Sequence, residues 1–479
     1  MTPSIPFDNS YATLPDRFYT RMSPTPVGDP GVLAINAPLA DKLGIDADWL
    51  GSDAGLQVLA GNAVPDGAAP LAQVYAGHQF GGFSPQLGDG RAILLGEVMG
   101  RNGKRYDIQL KGSGPTPYSR MGDGRAWVGP VLREYIVSEA MAALGVPTTR
   151  ALAAVTTGQP VLRETALPGA VLTRVASSHI RVGTFQYFAA RGDKDAIAEL
   201  AEHARQRHFP DADGPLGLLK AVIEAQASLV ATWLGLGFIH GVMNTDNTTI
   251  SGETIDYGPC AFMDTYKAMQ VFSSIDAQGR YAYARQPQIL MWNLAQLATS
   301  LLPVLAEDPE AARQAGQDAI DAYPNAFEAA WLNTFRAKIG LQTAEDGDAV
   351  LLQDLLQRME AGQADFTNTF RALGTGTARD QFMDPTVYDT WDTAWRERLT
   401  REGASPEDRL AALHSVNPAL IPRTHRIEEA IQAAVAEDLG PFQRLTQALS
   451  MPFADAEAFA DLARPPSESE VVPQTFCGT

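Results

Sequence analysis

The sequence predicts an α+β fold in which a β-rich region precedes a larger helical region. Short β-like runs separated by glycine-rich turns lie between about residues 70 and 175. After about residue 185, apolar residues recur at helical spacing. Residues 1–70 carry many prolines and glycines and little periodicity, which indicates an irregular extension wrapped on the core.

The β-rich region alternates predicted strands with tight turns. We expect strands over 91–98, 105–110, 151–156 and 171–175, with one helix over 131–144 between the second and third. Pro130 stands at the start of that helix and Gly145 just past its end, as is typical of helix boundaries. This order predicts a mostly antiparallel sheet with one inserted helix.

The helical region divides into a lobe and a C-terminal addition. Helices are predicted over 193–208, 216–234 and 288–305, and an Ala-, Glu- and Leu-rich helical pattern runs from 308 to about 463. The residues after 463 hold three prolines and little periodicity, so we expect a tail. The predicted regions are therefore an N-terminal extension (1–70), a β-rich lobe (71–185), a helical lobe (186–340) and a helical C-terminal region with its tail (341–479).

The composition excludes several classes of protein. Of the 479 residues, 45% are hydrophobic and 19% charged, which is typical of a globular chain. The net charge of −19 disfavours a nucleic-acid partner and a polybasic membrane surface. Two cysteines exclude a disulfide-dense scaffold and a four-cysteine zinc site. The N-terminal residues do not have the pattern of a secretory signal, and no apolar segment is long enough to predict a membrane span. We therefore expect a cytoplasmic protein.

The charge is unevenly distributed along the chain. Between Arg91 and Arg181 there are twelve Lys/Arg and six Asp/Glu, a local net charge of +6, so the remainder carries −25. A basic region in an acidic protein predicts an anionic ligand there. Chance clustering of solvated arginines accounts for the same count.

Two features of this basic region are typical of phosphate binding. The glycine-rich turn QLGDGR at 86–91 allows backbone amides to approach a phosphate closely. Lys111 closes a predicted strand and Glu134 lies in the helix that follows, the strand-to-helix ion pair that positions phosphates in kinases. An ordinary hairpin turn and two unrelated surface residues are the alternatives.

The loop over 112–125 is long and rich in glycine and carries two arginines. Long loops inside compact domains are usually functional or disordered. Arg174 and Arg181 flank a further transition from strand to loop, where their guanidinium groups can form paired hydrogen bonds to phosphate. Ordinary surface salt bridges explain these arginines equally well.

The most specific motif is HGVMNTDN at 240–247, followed by DYG at 256–258. It matches the kinase pair His-Arg-Asp-x-x-x-x-Asn and Asp-Phe-Gly, so Asn247 and Asp256 are candidate oxygen ligands for Mg²⁺. The position of the kinase base is Val242, which accepts no proton, and Asp246 is the nearest carboxylate. The motif predicts nucleotide and metal binding without ordinary kinase chemistry. A loop of Asx turns is the alternative.

The order of these motifs resembles the selenoprotein O family over nearly the whole chain. The segments FDNSYATLP at 7–15, AGHQFGG at 76–82 and NPALIPRTHRIEE at 417–429 are similar to that family too. The resemblance implies a protein-kinase-like bilobal fold with an N-terminal extension and a helical C-terminal addition. In that fold the β-rich lobe binds the nucleotide, and the helical lobe carries the catalytic and metal-binding loops.

The resemblance also implies an activity and its residues. The family transfers AMP from ATP, bound flipped relative to kinases, to Ser, Thr or Tyr hydroxyls of target proteins. Asp246 is then the proton acceptor, Asn247 and Asp256 bind Mg²⁺ or Mn²⁺, and Glu134 orients Lys111. The implied nucleotide contacts are Gly88, Gly90, Arg91, Lys111, Asp123, Gly124, Arg174, Arg181 and Asp256.

Other functions stay open at this point. Val242 favours a catalytically silent nucleotide-binding pseudokinase scaffold, whereas the retained Asp246, Asn247 and Asp256 oppose it. An ordinary phosphotransferase that uses Asp246 as its base, or a UMP transferase with another divalent metal, fits the same residues. Only the resemblance separates the ordinary phosphotransferase from AMP transfer, and the choice between AMP and UMP stays open. The sequence leaves the oligomeric state open, and a monomer fits it.

The two cysteines suggest a redox hypothesis. Cys477 stands near the end of the chain, where some family members carry selenocysteine, and Cys260 follows the DYG motif and one proline. If the tail folds back, a disulfide between them would tether the segment after DYG. Two unrelated reduced thiols are the expected alternative in the cytosol.

Overall fold

The computed structural model describes residues 5–476. Short strands and helices precede residue 60: β1 (Tyr19–Arg21), β2 (Val32–Ile35), α1 (Ala37–Leu43), α2 (Ala47–Leu50) and α3 (Asp53–Leu59). The β-rich region then contains β3 (Leu71–Gln73), β4 (Gly77–Gln79), β5 (Gly82–Ser84), β6 (Ala92–Met99), β7 (Arg105–Lys111), β8 (Ala126–Trp127), α4 (Val128–Ala143), β9 (Arg150–Leu162) and β10 (Ala166–Ala176). The four predicted strands and the inserted helix are all present.

Most of these strands form one antiparallel sheet with the order β1-β3-β6-β7-β10-β9-β2, and β8 pairs with β10 beside that path. The prediction of an antiparallel sheet with one inserted helix is confirmed. The prediction of an irregular extension is wrong in part, because β1 and β2 from that extension form the two ends of the strand order. Strands of three and four residues are too short to leave a period-two pattern in the sequence.

The rest of the described chain is mostly helical, except for residues 236–285, which are mainly loops and contain two short strands. Its elements are α5 (Val182–Ala189), α6 (Lys194–His208), α7 (Gly214–Gly235), β11 (Phe238–Ile239), β12 (Ala261–Phe262), α8 (Gln286–Leu305), α9 (Pro309–Asp321), α10 (Tyr323–Lys338), α11 (Asp348–Ala361), α12 (Phe366–Ala372), α13 (Thr386–Leu399), α14 (Pro406–Val416), α15 (Thr424–Val435) and α16 (Gly440–Leu449). The predicted helices over 193–208, 216–234 and 288–305 are confirmed to within two residues at each end.

The central helices α7 and α8 carry much of the core. Helix α7 packs along α6, α8, α9 and α10, and buries residues such as Leu219, Val230 and Leu234. By length and composition, α7 and the segment Tyr283–Leu305 could each cross a membrane, with 56% and 39% of their most apolar windows buried. Apolar helices of this kind also form the cores of globular proteins.

The C-terminal helices return to the β-rich region. Helices α15 and α16 both pack against α4. The rings of Tyr135 and Phe442 meet edge to face at 5.6 Å, and Arg133 on α4 pairs with Glu428 on α15. The C-terminal addition therefore supports the one helix that is inserted in the sheet.

The part of the predicted tail that the structure describes, residues 464–476, contains no helix or extended strand, but it is bound to the helical region. The Thr475 amide donates to Phe272 O at 2.7 Å, and its hydroxyl donates to Pro259 O at 2.6 Å. Thr475 is buried as a result. Cys477 lies outside the described residues.

Candidate active site

A cleft of about 900 Å³ lies between the sheet and the helical region. Within residues 5–476, every sequence-predicted site residue except Cys260 lines it, namely Gly88, Gly90, Arg91, Lys111, Asp123, Gly124, Glu134, Arg174, Arg181, Asp246, Asn247 and Asp256. These residues span 169 positions of the sequence, so the fold alone brings them together.

The predicted ion pair between strand and helix is present. Lys111 is the last residue of β7, and its Nζ lies 2.5 Å from Oε2 of Glu134 on α4. The other carboxylate oxygen of Glu134 accepts from Arg174 Nη1 at 3.3 Å. Arg174 is on β10, the neighbour of β7 in the sheet. All three side chains are buried, so their charges act on each other with little screening by water.

Asp256 lies at the centre of a group of cations. Its Oδ1 accepts from Lys111 Nζ at 2.7 Å and from Arg174 Nη1 at 2.6 Å, and its Oδ2 accepts from Arg181 Nη1 at 3.3 Å. Burial opposes ionisation, but these three cations hold the pKa of Asp256 well below its usual range. Asp256 has a φ of +63°, which is uncommon for a residue with a side chain and occurs mainly in turns and at functional sites.

The glycine-rich turn is fixed to the loop over 112–125. The Asp89 carboxylate accepts from the Gln73 amide and from Gln109 Nε2, both at 3.1 Å, while Thr116 donates its hydroxyl to Asp89 O. Gly90 approaches so closely that a Cβ there would lie 2.9 Å from Tyr118 O. This turn therefore requires a residue without a side chain at position 90.

Asp123 and Gly124 lie in the second half of that loop. The Asp123 carboxylate is held by Arg163 Nη1 at 2.8 Å and by the Arg125 amide at 2.9 Å, and the hydrogen bond from Arg163 lowers its pKa. Gly124 has a φ of +64° and lies against the Gly114 backbone. Arg163 also lines the cleft, and no local sequence pattern predicts it, because it lies 40 residues from its partner Asp123.

Asp246 is buried in an environment quite unlike that of Asp256. Burial raises its pKa to about 6, although a hydrogen bond from Gln79 and the charge of Arg181 act in the opposite direction. Gln79 Nε2 donates to Oδ2 at 3.0 Å, and Oδ1 is buried with no hydrogen-bond partner among residues 5–476. One hydrogen bond from a neutral amide is therefore the only side-chain support of this carboxylate within residues 5–476.

The rest of the HGVMNTDN segment is structural or lines the cleft. Val242, which occupies the position of the kinase base, lines the cleft beside Asp246 and Asn247. Asn247 donates its side-chain amide to Val242 O at 3.0 Å, which leaves its oxygen to act as a ligand. His240 is fully buried, with Nε2 2.8 Å from Ile255 O, and so connects this segment to the DYG segment.

The candidate metal ligands suit a hard cation only when a molecule bound in the cleft supplies further oxygen atoms. Across residues 5–476, no three His, Cys, Asp or Glu side chains form a cluster able to hold a metal. The Asn247 oxygen and the Asp256 carboxylate are hard ligands that suit Mg²⁺, which usually takes only one or two carboxylates from the protein and further oxygens from phosphates and water. The residues therefore fit a cation that arrives with a polyphosphate.

The cleft also has a wall that the sequence did not predict. Residues from α15 and from the tail line it beyond Pro259, namely Glu428, Ile431, Val472, Gln474, Thr475 and Phe476. Thr475 contacts the backbone next to Cys260, so the tail does fold back as the redox hypothesis requires. The predicted pairing of Cys260 with Cys477 stays a prediction, because Cys477 lies outside the described residues.

A strand lysine, its helix glutamate, and an Asn and an Asp from two loops meet in this cleft, which is the arrangement used by enzymes that act on metal-bound nucleotides. Comparison with known proteins specifies the class. The family model described as "Protein adenylyltransferase SelO" matches residues 3–450, so the chain belongs to the SelO family.

Curated relatives agree along their full lengths. The chain is 64% identical to the protein nucleotidyltransferase YdiU of Jannaschia sp. (strain CCS1), with 100% of both chains covered. It is 63% identical to the protein of the same name from Ruegeria sp. (strain TM1040), again with 100% of both chains covered. The YdiU protein of Bradyrhizobium diazoefficiens is 58% identical, also over 100% of both chains.

Proposed function

We propose that this protein is a protein adenylyltransferase that moves AMP from ATP to Ser, Thr or Tyr hydroxyls of target proteins. Membership in the SelO family and the full-length similarity to protein nucleotidyltransferases support this activity. One structural observation favours it over ordinary phosphoryl transfer. The cleft holds the cations and metal ligands of a nucleotide site, but Val242 lies where a kinase has its base.

The reaction exchanges one bond to phosphorus for another. The acceptor hydroxyl oxygen forms a bond to the α-phosphorus of ATP, the bond from the α-phosphorus to its bridging oxygen breaks, and diphosphate leaves. We assign the hydroxyl proton to Asp246, whose Oδ1 is buried and without a partner in the described chain. A carboxylate with a pKa near 6 is ionised at neutral pH and is basic enough to accept a proton in the transition state.

The cationic side chains then act on the triphosphate. Lys111, Arg174 and Arg181 surround one carboxylate in a buried site, where they can neutralise the charge that develops on the phosphates. Glu134 fixes Lys111, and the glycines at 88 and 90 allow the backbone to approach the nucleotide. Gly124, Asp123 and Arg91 line the same cleft and complete the proposed nucleotide contacts.

Asn247 and Asp256 are the proposed ligands for Mg²⁺ or Mn²⁺. When bound, the metal supplies charge neutralisation to the phosphates. Asp256 is held by three cations, and the same cations are assigned to the phosphates. When ATP and the metal bind, the cations would therefore contact the phosphates, and Asp256 would contact the metal. This explains why the chain has no self-sufficient metal cluster within residues 5–476.

We also propose the kinase-like division into lobes. The sheet and α4 would form the nucleotide lobe over 71–185, and the helices from α5 to α10 the second lobe over 186–340, with the cleft between them. The segments 1–70 and 341–479 would support the nucleotide lobe, since β1 and β2 extend its sheet and α15 and α16 pack on α4. The cytoplasmic location and a monomeric state stay predictions from the sequence.

UMP transfer is the second candidate. The printed name of the relatives, protein nucleotidyltransferase, specifies no nucleotide, whereas the family description specifies adenylyl transfer. The two reactions use the same cations and the same proton acceptor. They differ only in the base that the cleft accepts.

The test uses ATP labelled at either the α- or the γ-phosphate, with the purified protein, Mg²⁺ and a lysate of acceptor proteins. Protein-bound α-label without γ-label, lost in Asp256→Ala, is the expected result. Protein-bound γ-label would instead make the protein a kinase, and ATP binding without any transfer would make it a scaffold. A parallel reaction with α-labelled UTP measures the preference between the two nucleotides.

A further inference from the structure

The hairpin β4–β5 is docked on the loop that contains Asp246. Its backbone and one side chain contact three consecutive residues of that loop. The His78 amide donates to Thr245 Oγ1 at 2.7 Å, the Phe80 amide donates to Asn244 Oδ1 at 3.1 Å, and Gln79 Nε2 donates to Asp246 Oδ2 at 3.0 Å. Three consecutive residues of the hairpin thus bind three consecutive residues of the loop.

The local backbone of the hairpin is built for this contact. Phe80 and Gly81 both have positive φ, 51° and 88°, as the tight two-residue turn of a hairpin requires. A non-glycine residue rarely adopts such a φ without tertiary support, and the hydrogen bond from the Phe80 amide to Asn244 supplies that support. The turn places Gln79 next to the carboxylate.

A second close approach limits the other side of the carboxylate. A Cβ at Gly77 would lie 2.6 Å from Asp246 Oδ1, so the backbone of β4 lies directly against this oxygen. Oδ1 has no hydrogen-bond partner in the described chain, whereas Oδ2 is occupied by Gln79. The hairpin therefore contacts both oxygens of the carboxylate, Oδ2 through the Gln79 amide and Oδ1 through the backbone at Gly77.

The docking is reinforced behind the carboxylate. Thr245 Oγ1 donates to Gln186 Oε1 at 2.6 Å, and Gln186 Nε2 lies 2.8 Å from His78 Nδ1. His78, Thr245 and Gln186 thus close a ring of hydrogen bonds between hairpin, loop and helix α5. Buried networks in which each member has a partner hold their side chains in a single arrangement.

We propose that Gln79 is a positioning residue for the transfer reaction: its amide holds Asp246 Oδ2 and so fixes the orientation of the carboxylate that takes the proton of the acceptor hydroxyl. This inference rests on the proposed role of Asp246 as proton acceptor. In kinases the base belongs to the His-Arg-Asp segment itself, at the position of Val242, four residues before Asp246. Because the acceptor has moved to Asp246, the support comes from a separate hairpin outside the loop.

The experiment compares Gln79→Met, which keeps the length but removes the donor, with Gln79→Glu, which replaces the donor by a carboxylate of the same shape. Loss of a hydrogen bond to a charged group predicts a kcat about 10- to 100-fold lower for Gln79→Met. We expect a larger loss for Gln79→Glu, since two carboxylates then face each other. For Gln79→Met, the affinity for ATP and the unfolding temperature should stay close to those of the wild type, whereas the facing carboxylates of Gln79→Glu should lower the unfolding temperature.

Ser84→Ala, on the facing strand of the same hairpin, is the matched control and should leave kcat and KM unchanged. A Gln79→Met enzyme whose kcat stays within threefold of the wild type would overturn the proposal. So would a parallel loss of ATP affinity and several degrees of unfolding temperature, because Gln79 would then serve the fold alone.

Asp246→Asn separates this inference from the proposed function beneath it. If Asp246→Asn keeps the wild-type rate, the assignment of the proton acceptor fails, and the positioning role fails with it. If Asp246→Asn loses transfer while Gln79→Met does not, only the positioning role fails. Loss of kcat in both, with ATP affinity retained, supports both.

Discussion

Two aspartates ten residues apart in the sequence, Asp246 buried and Asp256 partly exposed, have opposite environments. Asp256 is surrounded by Lys111, Arg174 and Arg181, which hold its pKa well below the usual range against the effect of burial. Asp246 receives one hydrogen bond from a neutral amide, and burial raises its pKa to about 6. Environments that separate the pKa values of two carboxylates give them different roles. We therefore propose that Asp256, which stays ionised, binds the metal and that Asp246 acts as the base.

The largest effect on transfer is expected at Asp256. Asp256→Asn removes the charge that balances three buried cations and removes a metal ligand. We expect transfer of the α-label to fall at least about 1000-fold, because charge stabilisation by a metal is worth several kcal/mol. A variant that keeps a tenth of the wild-type rate would contradict the assignment. Circular dichroism of the variant controls for folding.

Asp246→Asn tests the other half of the comparison. A positioned general base contributes about 10²- to 10⁴-fold, and we expect a loss of transfer in that range. The unfolding temperature should be equal to or higher than that of the wild type, because a neutral amide avoids the cost of burying a charge. A clear loss of stability would mean that the ionised carboxylate supports the fold.

The pH dependence follows from the same contrast. The pKa of Asp246 is raised to about 6 in the folded protein, so transfer should be lost as the pH falls below about 6. Its effect on stability has the opposite direction: the folded state binds the proton more tightly, so this group's contribution decreases as the pH rises through about 6. Asp256 stays ionised throughout this range and adds no step. A pH–rate profile that is flat between pH 5 and 8 would contradict the account.

Glu134→Gln tests the contribution of the cations that surround Asp256. The variant keeps the shape but removes the anion that fixes Lys111 at 2.5 Å, while Asp256 still attracts that lysine. We therefore expect a smaller effect than at either aspartate, about 10- to 100-fold in kcat/KM for ATP. A loss equal to that of Asp256→Asn would mean that Glu134 itself takes part in the chemistry.

Lys338 supplies a buried ionisable group that has no part in the site. It donates to Asn417 Oδ1 at 2.8 Å and lies 4.2 Å from the Phe370 ring centre, and burial lowers its pKa to about 7. The unfolded chain binds this proton up to a pH near 10, so the contribution of Lys338 to stability rises from about pH 7 to pH 10.

Lys338→Met should remove that pH dependence and leave the transfer rate within about twofold of the wild type, which is the smallest effect expected here. Denaturant unfolding at pH 7 and pH 10 measures the first, and the labelled-ATP assay measures the second. A variant with lost activity and unchanged stability would connect this remote group to the cleft and weaken the comparison.

The parts of the site that the sequence predicts are those with a fixed spacing. Lys111 at a strand end, Glu134 on the next helix, and the segments around Asn247 and Asp256 were identified because chemistry and local structure impose their order. Their meeting in one cleft confirms the sheet and helix predictions that placed them. The sequence also predicts the core helices α7 and α8, because a long apolar periodicity is typical of few structures other than a helix.

The parts that the sequence did not predict depend on contacts between distant segments. Gln79 lies in a strand of three residues, too short to have a period, and its partner Asp246 is 167 residues away. Arg163 reaches Asp123 across 40 residues, and Thr475 reaches Pro259 across 216. No local sequence pattern predicts such pairs, because each of these residue types occurs in many other structural roles.

The most direct test of the division between the two aspartates is the affinity for Mg²⁺–ATP, measured by calorimetry with wild type, Asp246→Asn and Asp256→Asn. We predict that Asp246→Asn binds Mg²⁺–ATP within about threefold of the wild type although it transfers almost nothing, as expected for a group that acts on the acceptor hydroxyl. Asp256→Asn should lose the Mg²⁺-dependent part of the affinity. Equal losses of affinity in the two variants would contradict the account, because the two carboxylates would then share one role.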